Sequence, residues 1–210
     1  GSQKPEHHDF EIAKGIKQAI QVYPMYENAI RYARKESVPE HLKRVSELWA
    51  RFNEVAIQNP NAWIQDAFTA EEIRTPTDAN RRISFPYTKM MNANMAVDMG
   101  AAIILCSVEK ARELRIPEEK WVYPLAGVQG YDHFSASVRD NFHSSPGLGL
   151  VGKRVMELAK VSPEEVDYVD LYSCFPSAVQ IAARELGFSE ERQLTAVSYT
   201  HLRAHETATY

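Results

Sequence analysis

The sequence predicts an α/β chain with a partly parallel sheet. Amphipathic runs with apolar residues three and four apart fill the first third. After Asp98, short continuous apolar runs alternate with helical stretches, in the order strand, helix, strand, helix, strand, helix. Three Ser/Thr-x-x-Glu capping boxes mark where helical segments begin.

Gly1 to Lys14 is polar and unpatterned, and Gly1-Ser2 reads as a cloning remnant. His7-His8-Asp9 lies on no recognisable helix face, so no metal site is assigned to it. From about Pro24 to Arg34 a short helix is expected, with Met25, Asn28, Ala29 and Tyr32 on one face. Ser37-Val38-Pro39-Glu40 is a capping box with Pro in the first turn. Leu42, Val45, Leu48, Trp49, Phe52, Val55 and Ala56 follow as the clearest amphipathic helix, which stops at Asn59-Pro60. Thr69-Ala70-Glu71-Glu72 opens a short helix that ends before Pro76. Residues 74–99 have no clear period and read as an irregular functional surface.

Gly100 to Cys106 is a small-apolar run consistent with a buried strand. Ser107 can cap a helix to about Leu114, which Pro117 forbids from continuing. Trp121 to Val128 reads as another strand and residues 129–147 as a loop. Leu150 to Ala159 reads as a helix. Ser162-Pro163-Glu164-Glu165 is the third capping box, Val166 to Leu171 a short strand, and Phe175 to Leu186 a helix closed by Gly187. Val197 to Tyr210 has no period, turn signal or cap. It reads as translated adapter sequence rather than as part of the fold.

Composition narrows the function. The 210 residues carry 24 Lys and Arg against 28 Asp and Glu, a net charge of -4, so no polybasic footprint for nucleic acid exists. A hydrophobic content of 44% supplies a core and argues against global disorder. Cys106 and Cys174 cannot form a disulfide framework, which suits a reducing, cytoplasmic setting. No apolar run approaches the roughly 18 residues of a membrane span. Nine glycines include neither G-x-G-x-x-G nor a Walker loop.

Chemistry concentrates in Asp167-Tyr168-Val169-Asp170-Leu171-Tyr172-Ser173-Cys174-Phe175-Pro176. A short apolar run ends there and a helix begins, the place where open α/β folds bind ligands. The helix start offers unpaired N–H groups and partial positive charge. Tyr172, Ser173 and Cys174 are therefore the candidate catalytic residues. Cys174 reads equally as a buried core residue, and Tyr172 as a packed ring. Asp132-His133 and His143-Ser144-Ser145 could supply a base, or be solvated loop. Arg81, Arg82, Lys89 and His133 are the candidate substrate-binding residues. The three cations could hold a phosphate or an acyl carrier, or be solvated surface.

Several motifs then resemble one family in its own order. They are Tyr26-Glu27-Asn28-Ala29, Leu48-Trp49-Ala50-Arg51-Phe52, Asn59-Pro60-Asn61-Ala62-Trp63, Glu72-Ile73-Arg74-Thr75, Phe85-Pro86-Tyr87-Thr88-Lys89, Val97-Asp98-Met99-Gly100-Ala101-Ala102 and Tyr172-Ser173-Cys174-Phe175-Pro176. From about Ile20 to Thr195 the chain resembles the thiolase superfamily, in the acetyl-CoA acetyltransferase-like branch related to the sterol-carrier-protein-type thiolase.

The resemblance implies an interior thiolase segment. Residues 1–19 would be linker or expression-derived, 20–95 the mostly helical loop region, 96–195 the first part of the C-terminal mixed-sheet half-domain, and 196–210 a non-native tail. It implies a coenzyme A thioester as substrate, no tightly bound cofactor, a homodimeric parent and a place in lipid or sterol side-chain metabolism. The family's nucleophilic Cys, its Gly-His-Pro and its Cys-x-Gly motifs do not occur here, so this chain alone is expected not to catalyse acyl transfer. Tyr172-Ser173-Cys174-Phe175 matches the family's His-Asp-Cys-Phe oxyanion-hole position, with Tyr for His and Ser for Asp. That change suits a thiolase-like retro-aldolase with a small partner subunit as well as a transferase. A degenerate fold that binds acyl-CoA or scaffolds a partner is the non-catalytic alternative.

Overall fold

The structure, a computed structural model, describes residues 7–62, 64–93 and 102–195. Its centre is built by α3 (Val38–Ala56), which starts at the predicted capping box and ends a few residues before the expected stop at Asn59-Pro60. Ser37 Oγ accepts from the Glu40 amide at 3.4 Å, and the Glu40 carboxylate accepts from the Ser37 amide at 2.8 Å. That reciprocal pair satisfies two of the free N–H groups of the first turn. Val45, Leu48, Trp49, Phe52 and Ala56 then fall on one buried face. Leu48, Trp49 and Phe52 meet Ile73, Tyr87, Met91, Cys174, Phe175, Val179, Ala183 and Leu194 in one core.

α1 (Asp9–Ala13) is a single turn in the stretch expected to be linker. His8 caps it, its Nδ1 accepting from the Phe10 amide at 3.2 Å. Buried Glu11 accepts from the Ser137 amide at 2.6 Å, which ties this turn to the 129–147 loop. α2 (Ala19–Ala33) starts five residues before the expected Pro24. Proline is a common first residue of a helix, which is why the pattern points there, but here it sits buried in the second turn. It removes one ladder bond, and the packed face of α2 holds the turn together.

α4 (Ala70–Arg74) follows the Thr69 capping box as expected. The irregular 74–99 segment contains a hairpin that the sequence does not predict. β1 (Arg82–Ser84) pairs antiparallel with β2 (Tyr87–Thr88) through a cis Phe85–Pro86 peptide. With two or three residues per strand, no alternation can develop. Asn80 fixes the hairpin instead, its amide reaching the carbonyls of Glu72 and Ile73 at 2.9 and 3.0 Å while Oδ1 accepts from the Met90 amide. This hairpin is the only sheet among the described residues.

Of the three expected strands, 102–106, 121–128 and 166–171 form no ladder; residues 100 and 101 lie outside the described residues. The Leu171 amide donates to Leu194 at 2.8 Å, but no strand results. Ile103 is 88% exposed, Val122 89% and Tyr168 93%. Continuous apolar runs read as strands because parallel sheets bury both faces; among the described residues no neighbour pairs with these runs. Val169 and Leu171 still turn toward the core.

The helices between the runs are where the sequence places them, with α6 longer than expected. Ser107 caps α5 (Val108–Glu113) through the Lys110 amide at 3.2 Å. α6 (Pro146–Ala159) begins four residues earlier than expected, with Ser145 at its cap and Pro146 first in the helix. α7 (Pro176–Leu186) ends at Gly187, whose φ of 79° is the left-handed closure that glycine permits. Among the described residues no helix is long and apolar enough to cross a membrane. The acidic-poor tail from 196 on lies outside the described residues.

Candidate functional site

Tyr172, Ser173 and Cys174 lead directly into α7. Phe175 is its cap and Pro176 its first residue. Cys174 is 5% exposed, Ser173 is buried, and Tyr172 is 61% exposed. The tripeptide thus runs from solvent into the core within two residues. The Cys174 carbonyl accepts from the Ala93 amide at 3.1 Å, so the chain after the hairpin is fastened to this point.

α2 supplies the other wall. The Tyr23 ring stacks on Phe175 with centroids 4.3 Å apart and planes 13° apart. Its hydroxyl lies beside the Cys174 thiol, as does that of Tyr172. Burial pushes the Cys174 thiol up, and the polar influence of Tyr23 and Tyr172 only partly opposes it. Burial likewise pushes the Tyr23 phenol well above its ordinary range, helped by Cys174 and Tyr172. At neutral pH the cluster therefore holds a thiol and a phenol in protonated form. The helix start does not make Cys174 a thiolate; desolvation outweighs the dipole here. Such a cluster offers O–H donors to an oxygen that gains negative charge.

The 129–147 loop borders the same wall. Arg139 lies over the Tyr26 ring at 5.5 Å, and Tyr26 meets Tyr23 edge-on at 5.7 Å and Phe142 at 5.3 Å. Asp132 organises the loop, accepting from Gly147 at 2.9 Å, from Arg139 at 3.1 Å and from the Ser145 hydroxyl. A Cβ on Gly147 would stand 2.6 Å from Asp132 Oδ1, so the close approach requires glycine. Burial raises the Asp132 carboxyl, but Ser145, Gly147 and Arg139 together hold it below its usual range. Asp132, Ser144 and Ser145 are therefore committed to loop and cap bonds. His133 stands exposed beside Asp132.

Arg81, Arg82 and Lys89 gather at the open end of the hairpin. The Lys89 amide donates to the Arg81 carbonyl at 2.9 Å, and Arg82 pairs with Thr88. Arg81 and Arg82 are exposed, with Arg82 over the Phe85 ring at 5.9 Å, while Lys89 is half-buried. Their backbones are adjacent in the hairpin, separate in the chain from His133. No group of three or more His, Cys, Asp or Glu among the described residues could hold a metal.

Sequence reasoning missed Tyr23. It also missed the buried cluster one turn further along α2, where Glu27 meets His41, Tyr87 and Gln180. The i, i+4 spacing of Tyr23 and Glu27 was a legible signal that both face one way. Their partners on α7 lie about 150 residues away, Gln180 being 153 from Glu27, and nothing local announces them.

No family model matches the chain. It is 25% identical over 111 residues to an acetyl-CoA acetyltransferase of Methanocaldococcus jannaschii, covering 53% of this chain and 28% of the relative. An acetyl-CoA acetyltransferase of Methanothermobacter thermautotrophicus is 25% identical over 139 residues, 66% of this chain and 34% of the relative. The crystal structure of a monomeric SCP2-thiolase like protein type 1 from Mycobacterium smegmatis superposes with a TM-score of 0.80 at 28% identity, covering 96% of this chain and 45% of that one. An Ltp2-ChsH2(DUF35) aldolase matches at 0.64 and 19% identity over 85% of this chain and 45% of that one, a likeness of fold alone. The fold is thiolase-like, mostly helical with one small sheet among the described residues. The chain is similar to thiolase-superfamily proteins and spans about a third of the curated relatives it matches and less than half of the solved ones.

Proposed function

We propose that this chain is the part of a thiolase-type acyl-CoA acyltransferase that supplies the oxyanion-hole-type donor of its site. The carrying observation is the placement of Tyr172: exposed at its ring, beside the Cys174 thiol, at the entry to α7. The substrate is a coenzyme A thioester, as in the acetyl-CoA acetyltransferases that the chain resembles. Its carbonyl oxygen gains charge as the α-carbon loses a proton, and the Tyr172 hydroxyl donates a hydrogen bond to it. Ser173 and Cys174 hold the turn that aims the phenol. Arg81, Arg82 and Lys89 form the edge that meets the phosphates of coenzyme A, and His133 lies on the bordering loop. The parent works in the cytoplasm as a homodimer, and the residues that carry the acyl group come from outside this segment.

A second reading rests on the phenol itself. Tyr172 stands where the family resemblance implies His, and a phenol can move a proton on a hydroxyl during carbon–carbon cleavage. A retro-aldolase on a CoA-linked side chain, with a small partner subunit, is that reading. The test is an assay of the complete parent and of this 210-residue chain with acetoacetyl-CoA plus CoA, and with a β-hydroxyacyl-CoA. The transferase reading expects thiolysis by the parent and none by the chain alone. Aldehyde or ketone release without thiolysis supports the aldolase, and thiolysis by the chain alone overturns the division of the site.

A further inference from the structure

A buried polar cluster joins α2, α3, the hairpin and α7, and the site described above does not use it. Glu27 on α2 is fully buried and accepts three hydrogen bonds: from the Tyr87 hydroxyl at 2.6 Å, from Gln180 Nε2 at 2.7 Å, and on Oε1 from His41 Nε2 at 2.6 Å. His41, 1% exposed, reaches Glu36 at 2.6 Å through its other ring nitrogen. Arg44 bonds Glu36 at 2.8 Å, Gln180 Oε1 at 2.9 Å and Glu190 at 2.7 Å. Tyr87 also bonds Ser177 at 2.8 Å.

The cluster therefore grips α7 at three heights: Ser177 in its first turn, Gln180 in the next, and Glu190 beyond its end. Ser177 and Gln180 are three residues apart and share one face. On the opposing helix Tyr23 and Glu27 are four apart and share one face. The two helices are thus matched turn for turn. Tyr23 meets Phe175 and Cys174, and one turn on, Glu27 meets Gln180. A shift of α7 that broke the second contact would also separate the first. Gln180 uses both ends of its amide, as donor to Glu27 and acceptor from Arg44, so it fits in one orientation only.

We propose that Glu27, His41 and Gln180 are positioning residues, a buried polar clasp that sets the register of α7 on α2 and thereby keeps Cys174 closed against Tyr23. The clasp acts on the site from a full helical turn away. It does not depend on the acyl-CoA reading.

Alkylation by iodoacetamide, mapped by mass spectrometry on the intact 210-residue chain, tests this, with exposed Cys106 as the internal standard. In the wild type Cys106 reacts fast and Cys174 slowly. Gln180→Ala is expected to speed Cys174 at least about tenfold with Cys106 unchanged, since the hydrogen bonds to Glu27 and from Arg44 are both lost and local opening becomes easier. Glu27→Gln, which keeps the shape, is expected to act in the same direction if Gln180→Ala fails to fold. Val45→Ala, buried in α3 outside the clasp, serves as the control for plain destabilisation. Cys174 as protected in both clasp variants as in the wild type would overturn the proposal. So would equal exposure in Val45→Ala at matched melting temperature, or a wild-type Cys174 as reactive as Cys106.

Discussion

At the scale of single residues, charge and burial decide what the site can do. Cys174 stands just before a helix start, where partial positive charge favours a thiolate. Its burial, only partly opposed by the two phenols, keeps it a thiol; in the proposed reading it supports Tyr172 rather than attacking substrate. Tyr23→Phe in this chain should push the Cys174 thiol further up, because the Tyr23 interaction is one of those that hold it down. A pH profile of Cys174 alkylation moved to higher pH is the expected result. Glu36 gives a second titration. Burial works against its ionisation, but hydrogen bonds from Arg44, His41 and Arg34 prevail and hold the carboxyl down at about 2, from an ordinary value of 4.5. Its contribution to stability is full above pH 4.5 and is lost as pH falls through about 2. Acid melting curves should show Glu36→Gln closing on the wild type across that window and lying clearly below it at pH 6. The position of Tyr172, Ser173 and Cys174 at a helix start was legible in the sequence, because an apolar run gives way there to a helical pattern opened by Pro176. Tyr23, Glu27 and His41 were not, because their meaning lies in contacts made across the whole chain.

At the scale of elements, local chemistry carried furthest where it was self-contained. The Ser37, Thr69 and Ser107 caps and the Gly187 closure could be read directly, since each involves residues within one turn. Gly187→Ala should cost roughly 1 kcal/mol of unfolding free energy, as an L side chain is strained at a φ of 79°. Urea titration measures it. The hairpin of residues 82–88 escaped notice because strands this short carry no period. Its support, Asn80, looks in the sequence like any polar loop residue. The apolar runs at 102–106, 121–128 and 166–171 were misread for the opposite reason. Their composition is that of buried strands, but a strand is a property of a pair, and no second member is recorded for them among the described residues.

At the scale of the whole molecule, the uncovered runs and the packed helical part stand side by side. Trp49, Phe52 and Tyr87 anchor one well-filled core, while Ile103, Ile104, Leu105, Val122 and Leu125 face solvent. Exposed apolar runs of this kind promote association. Sedimentation velocity on the purified chain should show concentration-dependent self-association, and Ile104→Lys with Val122→Lys should reduce it without lowering the melting temperature.

The central claim is that Tyr172 donates to the thioester oxygen as charge develops. The most direct measurement is the Tyr172→Phe substitution in the complete parent, with turnover and acyl-CoA binding read separately. Loss of a hydrogen bond made mainly in the transition state should lower kcat by about 10²-fold while Kd for acetyl-CoA changes by no more than about twofold. An unchanged kcat would contradict the account and leave Tyr172 a packing residue at the mouth of α7.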